Sequence, residues 1–505
     1  MRKLLVAFLG ALAVLAAVAP SALAAPEGTV ILKFYDQHGN GTELTPAQAK
    51  TVMHGESYGE EGWDTDALLN PGTLQDVYEY PLYSGSGKLR FDIPKEAVAL
   101  AVAWPTDSEG YSYVIVDNGG GGFTKGETVV FNYLAAKDER RRLGEALTAR
   151  PTYVKSKGFE TAYEEGTSNL KSAEAASTDA ERGKYGQRAL DGISHAYQLL
   201  LTEYGPLYAH EHETENWAGV TLDNPSVYAE WPSLATSVVE PGGWVRIVFD
   251  PNLDKGKPSY YASTVEAAEK AGLKILGQPV DSAFANKYTR AEYLERFKAF
   301  VNAYPNIQAW EVGNEVNGCW VDSKTTESGE CKSTLVAEND RIKNKIADAA
   351  AYVREKRPTA KVVLTLYWQM GGDAAKWSAF NWARANLSAA VRKNIDDVLL
   401  SQYVEDAPMG IAFDQVMNEL HAEFPAQKIG LGELDYWSTD TSKVFWAFNR
   451  ESTLAGRRKV AANYYAEAAG YPFSIMGGFW WYFVEEMPAD AELQQAVRGV
   501  VEAIH

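Results

Sequence analysis

The chain is predicted to be an α/β protein whose larger part is a (β/α)8 barrel, preceded by an antiparallel β-sandwich and a helical connector. Three observations predict this. Residues 26–136 read as short strands separated by glycine-rich turns, residues 137–205 turn charged and helical, and residues 206–505 alternate eight apolar strand-like runs with helical patterns. A length of 505 residues accommodates two to four domains.

Residues 1–24 stand apart from these three regions. Arg2 and Lys3 precede an apolar stretch from Leu4 to Val18, and Ala22-Leu23-Ala24 follows. A basic start, a short apolar core and an A-x-A site form a secretory signal peptide, cleaved after Ala24. The apolar core falls short of the ~20 residues that a membrane span needs. The mature protein is therefore expected to be exported, extracellular or periplasmic, with no membrane partner, and monomeric.

Composition narrows the partners further. A net charge of −19 argues against nucleic acid, whose phosphates call for a basic surface. Aromatic residues make up 12% of the chain, which leaves room for sugar-stacking platforms beyond the core. Cys319 and Cys331 are the only cysteines. In an oxidising compartment such a close pair reads as one disulfide, worth at most about 3 kcal/mol through loop closure.

In the first region, TVILKFYD (29–36), KLRFDIP (88–94), AVALAVAW (97–104), YSYVIVD (111–117) and ETVVFNYL (127–134) are the strand candidates. Their spacing and turns predict the antiparallel sandwich. NGGGG (118–122) lacks the Gly-Lys-Ser/Thr ending of a phosphate loop and reads as a turn. In the connector, Leu190, Ile193, Tyr197, Leu200, Leu201 and Tyr204 recur at helical spacing and form one packing face.

After Gly205 the candidate strands are WAGVTLD (217–223), WVRIVFD (244–250), LKILGQPV (273–280), QAWEVGNE (308–315), KVVLTLYW (361–368), DVLLSQYV (397–404), KIGLGELDYW (428–437) and IMGGFWWYF (475–483). Ser263-x-x-Glu266 and Thr289-x-x-Glu292 read as capping boxes that start two of the intervening helices. Eight strands alternating with helices are the TIM-barrel signature. A doubly wound sheet would more often show a glycine-rich nucleotide turn after its first strand, and WAGVTLDNPS has none.

In such a barrel, functional residues gather at the C-terminal ends of the strands. Glu315 closes the fourth strand and Glu433 the seventh, on opposite sides of the ring, so both carboxyl groups can face one cleft. Glycoside cleavage needs two such groups: one protonates the leaving oxygen, the other attacks or activates water.

Asn314-Glu315 on the fourth strand with Glu433 on the seventh resembles glycoside hydrolase clan A, retaining barrel glycosidases that include cellulase-like, xylanase-like, galactanase-like and xylosidase-like families. The resemblance covers the barrel only. It implies Glu315 as acid/base, Glu433 as nucleophile and Asn314 as the amide that binds the sugar's 2-hydroxyl. It also implies Arg246 and Tyr403 as partners of the nucleophile, and Trp480 or Trp481 as the platform beneath the reacting sugar. Retention places the two carboxyl groups about 5–5.5 Å apart; inversion would place them about 6.5–9.5 Å apart. The histidines of the cellulase-like pattern on strands three and six are missing, where this chain has GQPVDS (277–282) and SQY (401–403). ELD (433–435) resembles the xylanase-like nucleophile motif without that family's strand-three histidine, so the resemblance stops at the clan.

The residues themselves leave alternatives. Arg246 pairs either with Glu433 or, as a structural ion pair, with Glu311. Trp480 and Trp481 cannot both point inward on a regular strand, and Trp481 is favoured as nearer the mouth. Tyr367, Trp368 and Gln369, with Gln278, Asp281 and Asp250, are subsite candidates. Glu485 and Glu486 read as a solvated rim, and HEHETE (210–215) as a solvated turn below the barrel rather than a metal site. No metal-binding, serine-hydrolase or cofactor motif occurs, so no metal and no cofactor is expected. The loop between Cys319 and Cys331 is expected to wall the cleft. The reading is a secreted retaining β-glycoside hydrolase with a carbohydrate substrate; the alternatives are a carbohydrate-binding barrel without turnover and a transglycosylase using the same residues.

Overall fold

The structure, a computed structural model, describes residues 28–53, 65–224, 229–325, 331–370, 374–404, 407–436 and 453–505. The signal peptide expected at residues 1–24 lies outside the described residues.

Among the described residues, eight strands build the N-terminal module: β1 (Thr29–Lys33), β2 (Asp66–Leu69), β3 (Asp76–Glu79), β4 (Tyr83–Gly85), β5 (Lys88–Asp92), β6 (Ala99–Thr106), β7 (Gly110–Val116) and β8 (Thr128–Val130). They pair as two four-stranded sheets, β4-β5-β1-β8 and β3-β2-β6-β7. The second sheet is antiparallel throughout, but β8 runs parallel to β1. The first helix, α1 (Pro46–Met53), belongs to this module.

Strand β6 explains its own sequence. All eight of its residues are buried. Leu100, Val102 and Trp104 enter the core between the two sheets, whereas Ala99, Ala101 and Ala103 join the core that continues into the barrel. A continuous apolar run is what a strand covered on both faces requires. Alternating small and large side chains lets the barrel approach closely on the alanine face.

The predicted strand 127–134 is split. β8 ends at Val130, and the helix α2 (Phe131–Ala149) begins at once. Asn132 is the reason: its side chain accepts from Tyr35 N (2.9 Å) and donates to Tyr35 O (3.0 Å) and Gln187 Oε1 (2.7 Å), fixing the first helical turn against β1's continuation. The connector therefore starts earlier than 137 and consists of α2, α3 (Lys157–Ala175) and α4 (Asp179–His212). Helix α4 runs through Gly205-Pro206, where the sequence suggested a boundary. HEHETE is consequently not a turn: His210 and His212 occupy the last turn of α4, and Glu213 caps it in the left-handed region (φ 47°).

The barrel strands are β9 (Gly219–Leu222), β10 (Trp244–Val248), β11 (Lys274–Gln278) and β12 (Ala309–Gly313), then β15 (Lys361–Tyr367), β16 (Asp397–Tyr403), β17 (Lys428–Asp435) and β18 (Ser474–Gly477). A hairpin of β13 (Ser323–Thr325) and β14 (Cys331–Leu335) interrupts the series after β12. The eight strands are parallel and follow sequence order, and bridges from Trp480 to Val220 and Leu434 close the ring. Trp217 and Trp244 stack at 3.8 Å among the apolar side chains that fill the barrel's lower interior. Thr289 caps its helix through the predicted box, but Ser263 lies inside a helix that begins at Ala262, and Glu266 instead pairs with Lys270.

Helix α4 docks on the barrel through Gly205. A Cβ at that position would sit 1.9 Å from the Ala466 carbonyl oxygen, so two helices meet backbone to backbone. Gly205→Ala is expected to lower stability by about 1–3 kcal/mol through overpacking. Denaturant unfolding measures it; an unchanged midpoint would mean the helices do not meet at this residue.

Candidate active site

Arg246 on β10 organises the barrel mouth. It is fully buried and donates from Nε to Glu311 Oε2 (2.8 Å) and from Nη2 to Glu311 Oε1 (3.0 Å). Its Nη1 lies 2.7 Å from Glu433 Oε1. Both partners weighed for Arg246 are thus held at once, and Thr365 Oγ1 completes Glu311 at 2.6 Å. Arginine suits this position because a planar fork can grip one carboxylate with two bonds and still reach a second.

Glu433, 2% exposed, ends the inward face of β17. Besides Arg246, it accepts from Asn314 Nδ2 (2.8 Å, at Oε1) and from Tyr403 Oη (2.6 Å, at Oε2). Both oxygens are acceptors, the bonding pattern of a carboxylate. Burial first, then the neighbouring charges of Glu433 and Glu315, push the Tyr403 hydroxyl well above its ordinary range, so it stays a donor.

Glu315 has a different environment. It follows β12 with φ at 45°, a left-handed backbone that costs an L-residue and marks a constrained turn. Gly313 permits that turn, since a Cβ there would lie 2.6 Å from Val316 Cγ1. Glu315 is 8% exposed, and Ser282 Oγ donates to its Oε2 at 2.8 Å. Desolvation, then the charges of Glu433 and Asp281, raise its pKa well above the carboxylate range; the Ser282 bond and Arg246 oppose this more weakly.

Ser282 was not anticipated from the sequence. Its backbone N–H donates to Asn314 Oδ1 at 2.9 Å while its hydroxyl serves Glu315. One residue thereby orients both members of the Asn-Glu pair, and its position just past strand three, beside Asp281, was the available signal. Asp281 itself caps the short helix Ser282–Ala285 and is pushed up to about 6 by desolvation and by Glu433.

The remaining candidates separate. Trp481 is partly exposed, with Arg246 5.5 Å from its ring centroid, whereas Trp480 is fully buried and donates to Glu486 Oε2 at 2.9 Å. Glu486 also pairs with Arg457 at 2.7 Å, so it is a partly buried, ion-paired acid and not a solvated rim; Glu485 alone is exposed. Tyr367 lies partly exposed and edge-on to Trp320 at 5.3 Å. Trp368 turns to the opposite face of β15 and packs edge-on against Tyr113 of the sandwich, so it braces the module. Gln369 is 9% exposed and donates to the Trp377 carbonyl. Asp250 caps the helix Pro251–Asp254. Gln278 is fully buried with neither side-chain polar atom bonded, two residues beyond Leu276, the β11 residue paired with Arg246.

Cys319 and Cys331 form a disulfide that ties the short helix Cys319–Asp322 to β14. Asn286 Nδ2 donates to the carbonyls of Trp320 (2.8 Å) and Ser323 (3.1 Å), anchoring this wall to the segment after strand three. Among the described residues, no group of three His, Cys, Asp or Glu side chains is placed to hold a metal ion.

No family model and no curated protein matches the chain. Solved structures similar to it include a psychrophilic glycoside hydrolase family 10 endo-β-1,4-xylanase (15% identity, 60% of this chain and 99% of that one, TM-score 0.41). A thermostable mutant of a xylanase from Cellvibrio japonicus aligns at 14% identity over 58% and 99%, TM-score 0.41. A calcium-binding mutant of Bacteroides uniformis β-glucuronidase 2 aligns at 14% over 53% and 31%, TM-score 0.38.

Removing Arg246 leaves Glu311 and Glu433 buried without their cation. Arg246→Met is expected to cost about 3–5 kcal/mol, the range for breaking a buried ion pair from one side. The double variant Arg246→Met/Glu311→Met should regain part of that loss. Thermal unfolding of parent, single and double variants measures it, and a double variant no better than the single would show that Glu311 does not depend on Arg246.

Proposed function

We propose that the protein is a secreted retaining β-glycoside hydrolase that cleaves a poly- or oligosaccharide by double displacement. The observation that carries this is the inequality of two carboxyl groups facing one mouth. Glu433 receives Arg246, Asn314 and Tyr403. Glu315 receives a single hydroxyl and is held protonated by burial and by Glu433's charge. Two acids placed in environments this unequal divide the roles of proton donor and nucleophile.

In the first step Glu315 gives its proton to the glycosidic oxygen while Glu433 attacks the anomeric carbon, expelling the leaving sugar and forming a glycosyl ester. Glu315, now ionised, takes a proton from water, which displaces Glu433 and returns both groups to their starting states. Asn314 Nδ2 carries a second hydrogen beyond the one given to Glu433, available to the sugar's 2-hydroxyl. Trp481 offers its ring to the sugar's apolar face. Tyr367 is a candidate for the adjoining subsite, and Gln278 and Asp281 for hydroxyl contacts.

Export is supported by the disulfide and by the leader-like residues 1–24; no helix among the described residues is long and apolar enough to cross a membrane. Reducing the disulfide is expected to loosen the cleft wall and raise KM. Unchanged kinetics with the bond shown to be broken would remove that role.

Two measurements test the assignment. Against a panel of plant, fungal and bacterial polysaccharides, the parent should release sugar and Glu433→Ala should not; equal cleavage by both would show the nucleophile to be wrongly assigned. A folded parent that binds a glycan and cleaves none would move the binding-protein reading ahead. The pH profile tests Glu315. Because an ionised Glu315 has no proton to give, the rate should fall as pH rises through its elevated pKa. Glu315→Gln should lose that limb and about 10²–10⁴-fold in rate. The same shift bears on stability. A folded-state pKa above the unfolded one favours folding at low pH and loses that contribution as pH rises through the folded value, so Glu315→Gln should flatten the alkaline decline.

A further inference from the structure

A second cavity lies away from the barrel mouth, on the barrel's outer wall where the N-terminal module docks. It measures about 680 Å³, within the range of small-ligand sites. Helices α2 and α4 form one side, and the barrel helix Phe413–Glu423 and the turn before β18 form the other. Neither Glu315 nor Glu433 contributes to it.

Its charges are mutually neutralised. Arg141 and Arg142 both hold Asp117 at 2.6 Å, and Arg141 also holds Glu145 at 2.8 Å. Arg150 holds Asp414 at 2.6 Å, and Glu419 holds Arg384 at 2.6 Å. A wall with every charge paired offers little to an anionic or cationic ligand. What it does offer is flat rings and uncharged polar groups. Arg150 lies between Tyr204 and Tyr471, 5.6 and 5.3 Å from their ring centroids, a buried stack that backs the cavity wall. Tyr208 extends it outward, 5.5 Å from Tyr204 and stacked on His212 at 4.1 Å. Among the described residues, the hydroxyls of Tyr204 and Tyr208 and the Gln415 side chain have no hydrogen-bond partner in the protein, and Asn418 spends only its Nδ2 group, on Asp414.

We propose that this cavity is a second carbohydrate site, one that holds a neutral oligosaccharide segment while another part of the glycan occupies the mouth. Aromatic faces meet the apolar C–H faces of a pyranose, and free hydroxyls and amides meet its hydroxyl edge. The site lies between module and barrel, a position ligand pockets favour. The ligand class rests on the glycosidase reading, whereas the geometry of the cavity does not.

Calorimetric titration of xylohexaose, cellohexaose and mannohexaose into the Glu433→Gln protein tests it. At least one hexasaccharide should bind with two sites per chain. Tyr208→Ala, which removes the outer ring, and Ala149→Trp, which fills the exposed lip of the cavity, should each remove or weaken one site about tenfold. Trp481→Ala should affect the other. Melting temperatures of the cavity variants should match the parent, and their turnover of a short substrate should be unchanged. If both cavity variants leave every titration unaltered, or if no hexasaccharide binds outside the mouth, the proposal is overturned. Binding that survives Trp481→Ala but not the cavity variants, in a protein that cleaves no glycan, would instead sink the glycosidase reading and leave the cavity site standing.

Discussion

The structure depends on one buried cation shared by two buried carboxylates. Arg246 has no exposure to solvent, and neither does Glu311, which it grips with two bonds. Desolvating such groups is costly unless each finds a partner, so the pair fixes three strands, β10, β12 and β15, through the Thr365 hydroxyl that completes the set. The remaining guanidinium nitrogen is what reaches Glu433. Burial raises the Glu315 pKa first, and the balance of charge around Arg246 adds to it. Arg246 already faces two anions, so a third carboxylate in the same dry space meets net negative charge and keeps its proton.

That economy needs a rigid frame, and the N-terminal module supplies part of it. Its second sheet is not an appended domain with a wet face. Ala99, Ala101 and Ala103 lie in the same core as the barrel's outer helices. Asn381 brackets the backbone of Asp76 from both sides (3.1 and 2.8 Å), and Tyr113 N donates to Pro408 O at 2.8 Å. Trp368 shows what this means for the cleft. It directly follows the strand that carries Thr365 and Tyr367, yet its ring is committed to the module. Thr365 and Tyr367 share one parity and Trp368 has the other, which turns its ring away from the mouth.

Much of this was legible in the sequence because it follows periodicity. Eight strands, their order, and carboxylates at the ends of the fourth and seventh all come from counting apolar runs. Three kinds of feature were not legible. Short polar strands such as β3 and β4 carry too little hydrophobic pattern to register. Boundaries moved where a single tertiary bracket overrode local preference, as Asn132 does at the start of α2. Helices ended late where a proline that usually marks a stop was tolerated, as Pro206 is within α4. Ser282 escaped for another reason: a serine beyond a strand end has no pattern, and only the approach of two loops gives it Asn314 and Glu315 at once.

Strand eight shows how far alternation carries and where it fails. On a regular strand, parity alone assigns one of Trp480 and Trp481 to the interior. Here Met476, Gly477, Gly478 and Phe479 all have positive φ (65°, 87°, 97° and 39°), so the chain leaves the pleat before either tryptophan is reached. The two rings are then sorted by chemistry. An indole N–H that is fully buried needs an acceptor, and Glu486, itself held by Arg457, provides one for Trp480. Trp481, left without such an anchor, is free to lie over Arg246 at the mouth. Glu486, which the sequence suggested was part of a solvated rim, therefore selects which of the two indoles lies over Arg246 at the mouth. Gly477 and Gly478 adopt this backbone without steric cost, so the strain of the departure from the pleat is confined to Met476 and Phe479.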